Sequence, residues 1–181
     1  YELLVATVLS AQCTDARVNK VTPGLFERYP DPAELAEADQ TELEEAIRST
    51  GFFRNKAKNL IGAANRIQSV HNGEIPRTMD ELIKLPGVAR KTANIVLSNA
   101  FDIQEGVAVD THVKRIAYRL GFTTSKNPTQ IEKDLMPLFP RPDWGNINHM
   151  LVFHGRGPCN ARAPRCAECI LDDICPKKGM A

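Results

Sequence analysis

Apolar positions along the chain recur at the spacing of a helix face, and no stretch alternates apolar and polar residues as a half-buried strand does. Caps and stops are spaced at helical lengths, so the chain is predicted to be all-α. Tyr1 to about Ser10 reads as an apolar helix, and Ser10 to Asp15 as a break containing the next N-cap. Asp31-Pro32 supplies a cap followed by proline at the first helical position, and Thr41-Glu42-Leu43-Glu44 has the form of a capping box. Gly51 ends that helix, and Phe52-Phe53-Arg54 is predicted to be an exposed loop. Lys56 to about His71 forms a long amphipathic helix that Asn72-Gly73 stops. Further helices are predicted from Asp110 to Leu120, from Asn127-Pro128, and from Asp143 to about His154.

The most informative stretch runs from Thr78 to Val113. Thr78-Met79-Asp80-Glu81 is a second capping box and predicts a short helix over Met79 to Lys84. Pro86-Gly87 ends it, because proline cannot continue a helix and glycine accepts a positive φ. Val88, Ala93, Val96 and Leu97 then place an apolar stripe on a second helix, Ala89 to Ala100. Two short helices joined in this way form a hairpin whose tip presents backbone N–H groups at the positive end of the second helix. That arrangement favours an anion, with a nucleic-acid phosphate the obvious one. Lys91 falls in the first turn of the second helix, and Asp110 opens the helix after it.

Composition changes the picture in two places. The net charge of +1 is small for a chain meeting nucleic acid, but seven acids fall in 31–45, a segment without Lys or Arg. Outside that segment 15 acids face 23 bases, so a solvated acidic face can coexist with a basic one. No apolar run reaches the roughly 20 residues that span a bilayer, so no membrane partner is expected. The chain starts abruptly within an apolar stretch, Tyr1-Glu2-Leu3-Leu4-Val5-Ala6, without a signal-peptide pattern, which suggests that residues precede it. Cys159, Cys166, Cys169 and Cys175 follow the spacing C-x6-C-x2-C-x5-C within 17 residues. Disulfides need an oxidising compartment that nothing here indicates. Four thiolates can instead surround one metal centre, zinc being one chemical possibility, although only Cys166-x2-Cys169 has the short spacing of a zinc knuckle. Cys13 reads as a small core residue.

The run Leu85-Pro86-Gly87-Val88-Ala89-Arg90-Lys91, the aspartate in Val107-Ala108-Val109-Asp110, and the four-cysteine loop together resemble the endonuclease III family of helix-hairpin-helix DNA glycosylases. Ala89 stands where that family usually has a second glycine. The resemblance extends from Tyr1 to about Pro176. It implies two helical lobes, a six-helix domain with the hairpin (1–104) and an iron–sulfur domain (105–181) completed by residues ahead of Tyr1, with Lys91 and Asp110 facing a cleft between them. It further implies a [4Fe–4S] cluster held by the four cysteines, and a monomer acting on double-stranded DNA that contains damaged bases or abasic sites. Such a protein is intracellular, and in a prokaryote cytoplasmic and nucleoid-associated.

The implied activity is that of a bifunctional DNA glycosylase and AP lyase of base excision repair, removing oxidised pyrimidines. Lys91 would attack C1′ of the sugar and Asp110 would stabilise positive charge developing there or relay a proton. Only a neutral amine is a nucleophile; the positive end of a helix and partial burial favour that form, whereas a close Asp110 opposes it. Gln12 and Phe52 match the residues that fill the gap left by an extruded base. Gly87, Ala89 and Arg90 would meet DNA at the hairpin, and Arg162 and Arg165 could present cations to phosphate from the cysteine loop. His112 adjoins Asp110 and is a candidate for orienting it; His149 and His154 receive no role. Three rival readings remain: an adenine or mismatch glycosylase of the same superfamily, which lacks the lysine, a non-catalytic DNA-binding module, and a zinc-bound interaction domain.

Overall fold

Polar caps and glycine stops divide the chain into helices, and among the described residues there is no strand. The computed structural model describes residues 1–180 and separates into two units, Tyr1–Phe101 and Asp102–Ala181. The first unit contains α1 (Glu2–Leu9), α2 (Asp15–Arg28), α3 (Pro32–Ala36), α4 (Gln40–Ile47), α5 (Phe53–His71), α6 (Met79–Leu82) and α7 (Arg90–Phe101). The second contains α8 (Thr111–Arg119), α9 (Pro128–Leu135) and α10 (Trp144–Arg156), followed by the cysteine loop.

Side-chain oxygens open several of these helices as predicted. Thr14 accepts from Arg17 N, Asp31 from Ala33 and Glu34 N, and Asn127 from Thr129 and Gln130 N. The two capping boxes do not form. Thr41 lies inside α4, because Asp39 two residues earlier accepts the Glu42 amide and takes the cap. Thr78 does stand at the start of α6 in extended geometry, but its side chain makes no capping bond. Glu81 is engaged instead by Lys84 at 2.6 Å, which holds its carboxyl below the usual range. Asp143 likewise precedes α10 without a side-chain bond. The predicted Phe52–Arg54 loop is shorter than expected, since Phe53 and Arg54 already belong to the first turn of α5.

The 19-residue α5 is the axis of the first unit. Its stripe of Ala57, Leu60, Ala63, Ala64 and Ile67 is buried, and α3 and α4 pack on it while α1 packs on α7. Burying each such leucine or isoleucine contributes about 1.5–3 kcal/mol. In the second unit Val113, Ile116 and Ala117 of α8 meet Ile131 and Leu135 of α9 and Ile147 and Leu151 of α10. Val107 and Val109, ahead of α8, belong to that core, and Ala108 between them is buried.

Candidate functional site

The hairpin tip is seated on α5 by close backbone approach. Gly87 adopts φ 78°, and a Cβ placed there would stand 2.9 Å from Cβ of Asn59. Pro86 rests on Gly62, whose added Cβ would come within 3.2 Å of the proline ring. Glycine at 87 is therefore required twice, by its dihedral and by its neighbour. Leu82, Leu85 and Val88 are buried beneath the tip. The helical ladder of α7 starts with Ala93 N donating to Ala89 O at 3.0 Å, so the first-turn amides lie ahead of it at the positive helix end. Gly87, Ala89, Arg90 and Lys91 are all exposed. Among the described residues of its unit, Lys91 has no hydrogen-bond or ion-pair partner. Its exposure corrects the expectation of partial burial.

Gln12 and Phe52 occupy the two turns after α1 and α4, and both adopt left-handed backbone, with φ 53° and 49°. Neither is a glycine, so both conformations are strained. Gln12 is exposed, and Phe52 is 61% exposed, an unusual state for a phenylalanine ring. Phe53 is half-buried and flanked by the guanidinium groups of Arg48 and Arg54, each 5.7 Å from the ring centre. Cys13 is also only half-buried, so it is not a core residue; its backbone lies in the turn after α1, outside the apolar stripe.

In the second unit Asp110 accepts Val113 N at 2.8 Å through Oδ1 and thereby caps α8. The preceding segment is pinned: buried Asn148 donates to Ala108 O at 2.6 Å, and Gln104 accepts Gly145 N at 3.0 Å. His112 does not orient Asp110. Its Nδ1 lies 3.3 Å from Arg115 Nη2, in the direction of Gly155.

The four late cysteines converge. Cys159, Cys166, Cys169 and Cys175 are all free and line one small cavity, together with His154, Leu120, Pro158 and Lys177. Among the described residues no three His, Cys, Asp or Glu side chains meet closely enough to hold a single ion. Three of the sulfurs face donors: Arg119 Nη1 to Cys159 Sγ at 3.3 Å, Leu171 N to Cys169 Sγ at 3.4 Å and Lys177 N to Cys175 Sγ at 3.4 Å. Arg119 is buried and also donates to Cys159, Asn160 and Ala161 carbonyls, tying the loop to the last turn of α8. His154 Nε2 is 3.8 Å from Cys169 Sγ, and burial pushes its imidazole below the usual histidine range. Arg162 is exposed, whereas Arg165 is paired with Glu168 at 3.4 Å. Sequence reasoning alone misses the parts taken by Arg119, Asn148 and His154. Their partners lie as much as 42 residues away, so no local pattern marks them.

Comparison with known proteins gives a consistent result. Residues 5–141 match the family model described as HhH-GPD superfamily base excision DNA repair protein. The endonuclease III of Synechocystis sp. is 60% identical over 97% of this chain and 80% of its own length. That of Bacillus subtilis is 49% identical over 99% of this chain and 85% of its own. The solved structure of a trapped endonuclease III–DNA covalent intermediate superposes with a TM-score of 0.92 at 48% identity, covering 97% of this chain and 82% of that one.

Proposed function

Because the chain belongs to the HhH-GPD superfamily of base excision DNA repair proteins, and within it to the endonuclease III family, we propose that it is a bifunctional DNA glycosylase and AP lyase acting on duplex DNA with oxidised pyrimidines or abasic sites. The observation that carries the reading is Lys91, an exposed amine in the first turn of the helix that leaves a glycine-dependent hairpin. A relative 48% identical to this chain forms a covalent intermediate with DNA, and a lysine amine is one of the nucleophiles that can form one. In this reading the amine of Lys91 attacks C1′ and the damaged base departs. The resulting Schiff base acidifies the 2′ position, and β-elimination cuts the strand. Asp110 stabilises positive charge on the sugar or relays a proton. Gly87, Ala89 and Arg90 meet the phosphate backbone at the hairpin, and Gln12 and Phe52 fill the gap beside the extruded base.

The assay that tests this activity uses three duplexes, carrying thymine glycol, an abasic site or an A·G mispair. Excision with strand cleavage on the first, strand cleavage alone on the second and neither on the third are expected. Adenine removal from the mispair without cleavage would overturn the reading in favour of a monofunctional mismatch enzyme.

The residues of the cysteine loop fit an iron–sulfur cluster. Four free thiols line one cavity, and two backbone amides and a buried guanidinium donate to three of their sulfurs, as thiolates require. Cys159, Cys166, Cys169 and Cys175 would hold a [4Fe–4S] cluster whose bonds to the thiolates tie the loop together. Replacing any one of them by Ala should cost iron, sulfide, brown colour and soluble yield, whereas Cys13→Ala should keep all four. Wild-type protein purified without oxygen and containing stoichiometric zinc in place of iron would overturn the assignment.

A further inference from the structure

We propose that Lys56 is a positioning residue for base extrusion, its buried ammonium clamping together the two turns that carry Gln12 and Phe52. The inference rests on the reading of Gln12 and Phe52 as the residues that fill the gap in the duplex.

Lys56 is 5% exposed, and a lysine is seldom buried to that degree without partners. Its Nζ donates to Leu9 O at 2.8 Å and to Thr50 O at 2.9 Å. Leu9 ends α1 and Thr50 ends the 3-10 turn Arg48–Thr50, so both carbonyls belong to helix termini that lack onward backbone partners. The negative end of a helix also attracts a cation. The two acceptors come from distant parts of the sequence, and a single charged group joins them.

The residues just beyond the two acceptors give the clamp a purpose. Gln12 lies three residues after Leu9 and Phe52 two residues after Thr50, and both sit in left-handed backbone that only surrounding structure can hold. Both side chains are exposed, so neither is fixed by its own packing. A wedge must nevertheless meet the base stack with a defined position and direction, since small misplacement of a positioning group is costly. Lys56 supplies the fixed point at the foot of both turns. It stands in the first turns of α5, the helix that also seats the hairpin through Asn59 and Gly62. Burial pushes the ammonium below the usual lysine range, with Cys13 acting in the opposite direction.

The test compares Lys56→Met, which keeps the length but has no donor, with wild type. Single-turnover rates are measured on a thymine glycol duplex and on a preformed abasic duplex, where little remains to extrude. Lys56→Met is expected to slow excision about tenfold or more while changing abasic cleavage less than about threefold. In a Gln12→Ala/Phe52→Ala background the same change should have no further effect on excision, because nothing is left to position. Equal loss on both substrates, or loss that adds in the double-alanine background, would show a plain stability role and overturn the proposal. Lys56→Gln, which can reach at most one carbonyl, gives the same comparison if Lys56→Met does not fold. Should Gln12→Ala/Phe52→Ala itself lose nothing selectively, the wedge reading falls. A selective loss there without one in the Lys56 variants rejects the clamp alone.

Discussion

Lys91→Ala is expected to bind DNA and to leave no adduct when borohydride is added to a damaged or abasic duplex. Lys91 is exposed in the first turn of α7 and has no partner among the described residues of its unit, so its removal should change stability by no more than about 0.5 kcal/mol. One lost phosphate contact is a small fraction of total affinity for a polyanion. The loss of a nucleophile is of another order, and the rate of strand cleavage should fall by roughly 1000-fold or more. Lys91→Arg separates charge from chemistry. Guanidinium keeps the cation at the hairpin but stays protonated and cannot form a Schiff base, so this variant should bind like wild type and trap nothing. An adduct that survives in Lys91→Ala would show that a different amine attacks.

The sequence makes some of this legible and conceals the rest for physical reasons. Lys91 and the hairpin can be read because their signals are local: Pro86 and Gly87 stop one helix, and the apolar stripe of Val88, Ala93, Val96 and Leu97 starts another. The four cysteines are legible by spacing alone, and the structure brings all four to one cavity. Competition between caps is harder to read. At Thr41 a better acceptor, Asp39, stands two residues earlier, and at Thr78 the box partner Glu81 is drawn to Lys84. Residues with long-range polar partners leave no local signal. Arg119 binds the cysteine loop, and Asn148 holds the segment before Asp110, through bonds spanning about 40 residues. Lys56 does leave a trace. It falls in register with the buried face of α5, Leu60, Ala63 and Ile67, and a charge on an apolar stripe calls for partners.

Asp110 poses a sharper test, because its structural and chemical roles can be varied separately. Its Oδ1 accepts the Val113 amide at 2.8 Å and opens α8, and buried Val107, Ala108 and Val109 fix the approach to it. Asparagine caps a helix as well as aspartate does, so Asp110→Asn should fold and melt like wild type. Asp110→Ala loses the cap at about 1 kcal/mol and should lower the melting temperature by roughly 2–4 °C. If the carboxylate works only as a cap, excision should track melting temperature, and Asp110→Asn should be fully active. If its charge stabilises the sugar as the base departs, both variants should lose excision by roughly 100- to 1000-fold despite their different stabilities. The abasic duplex then separates the two chemical roles. There the base has already left, so a purely electrostatic aspartate becomes dispensable and Asp110→Asn should still trap an adduct with borohydride. A proton relay would be needed for Schiff base formation on either substrate, and Asp110→Asn would then trap slowly on both. Full excision by Asp110→Asn would reduce Asp110 to the cap of α8.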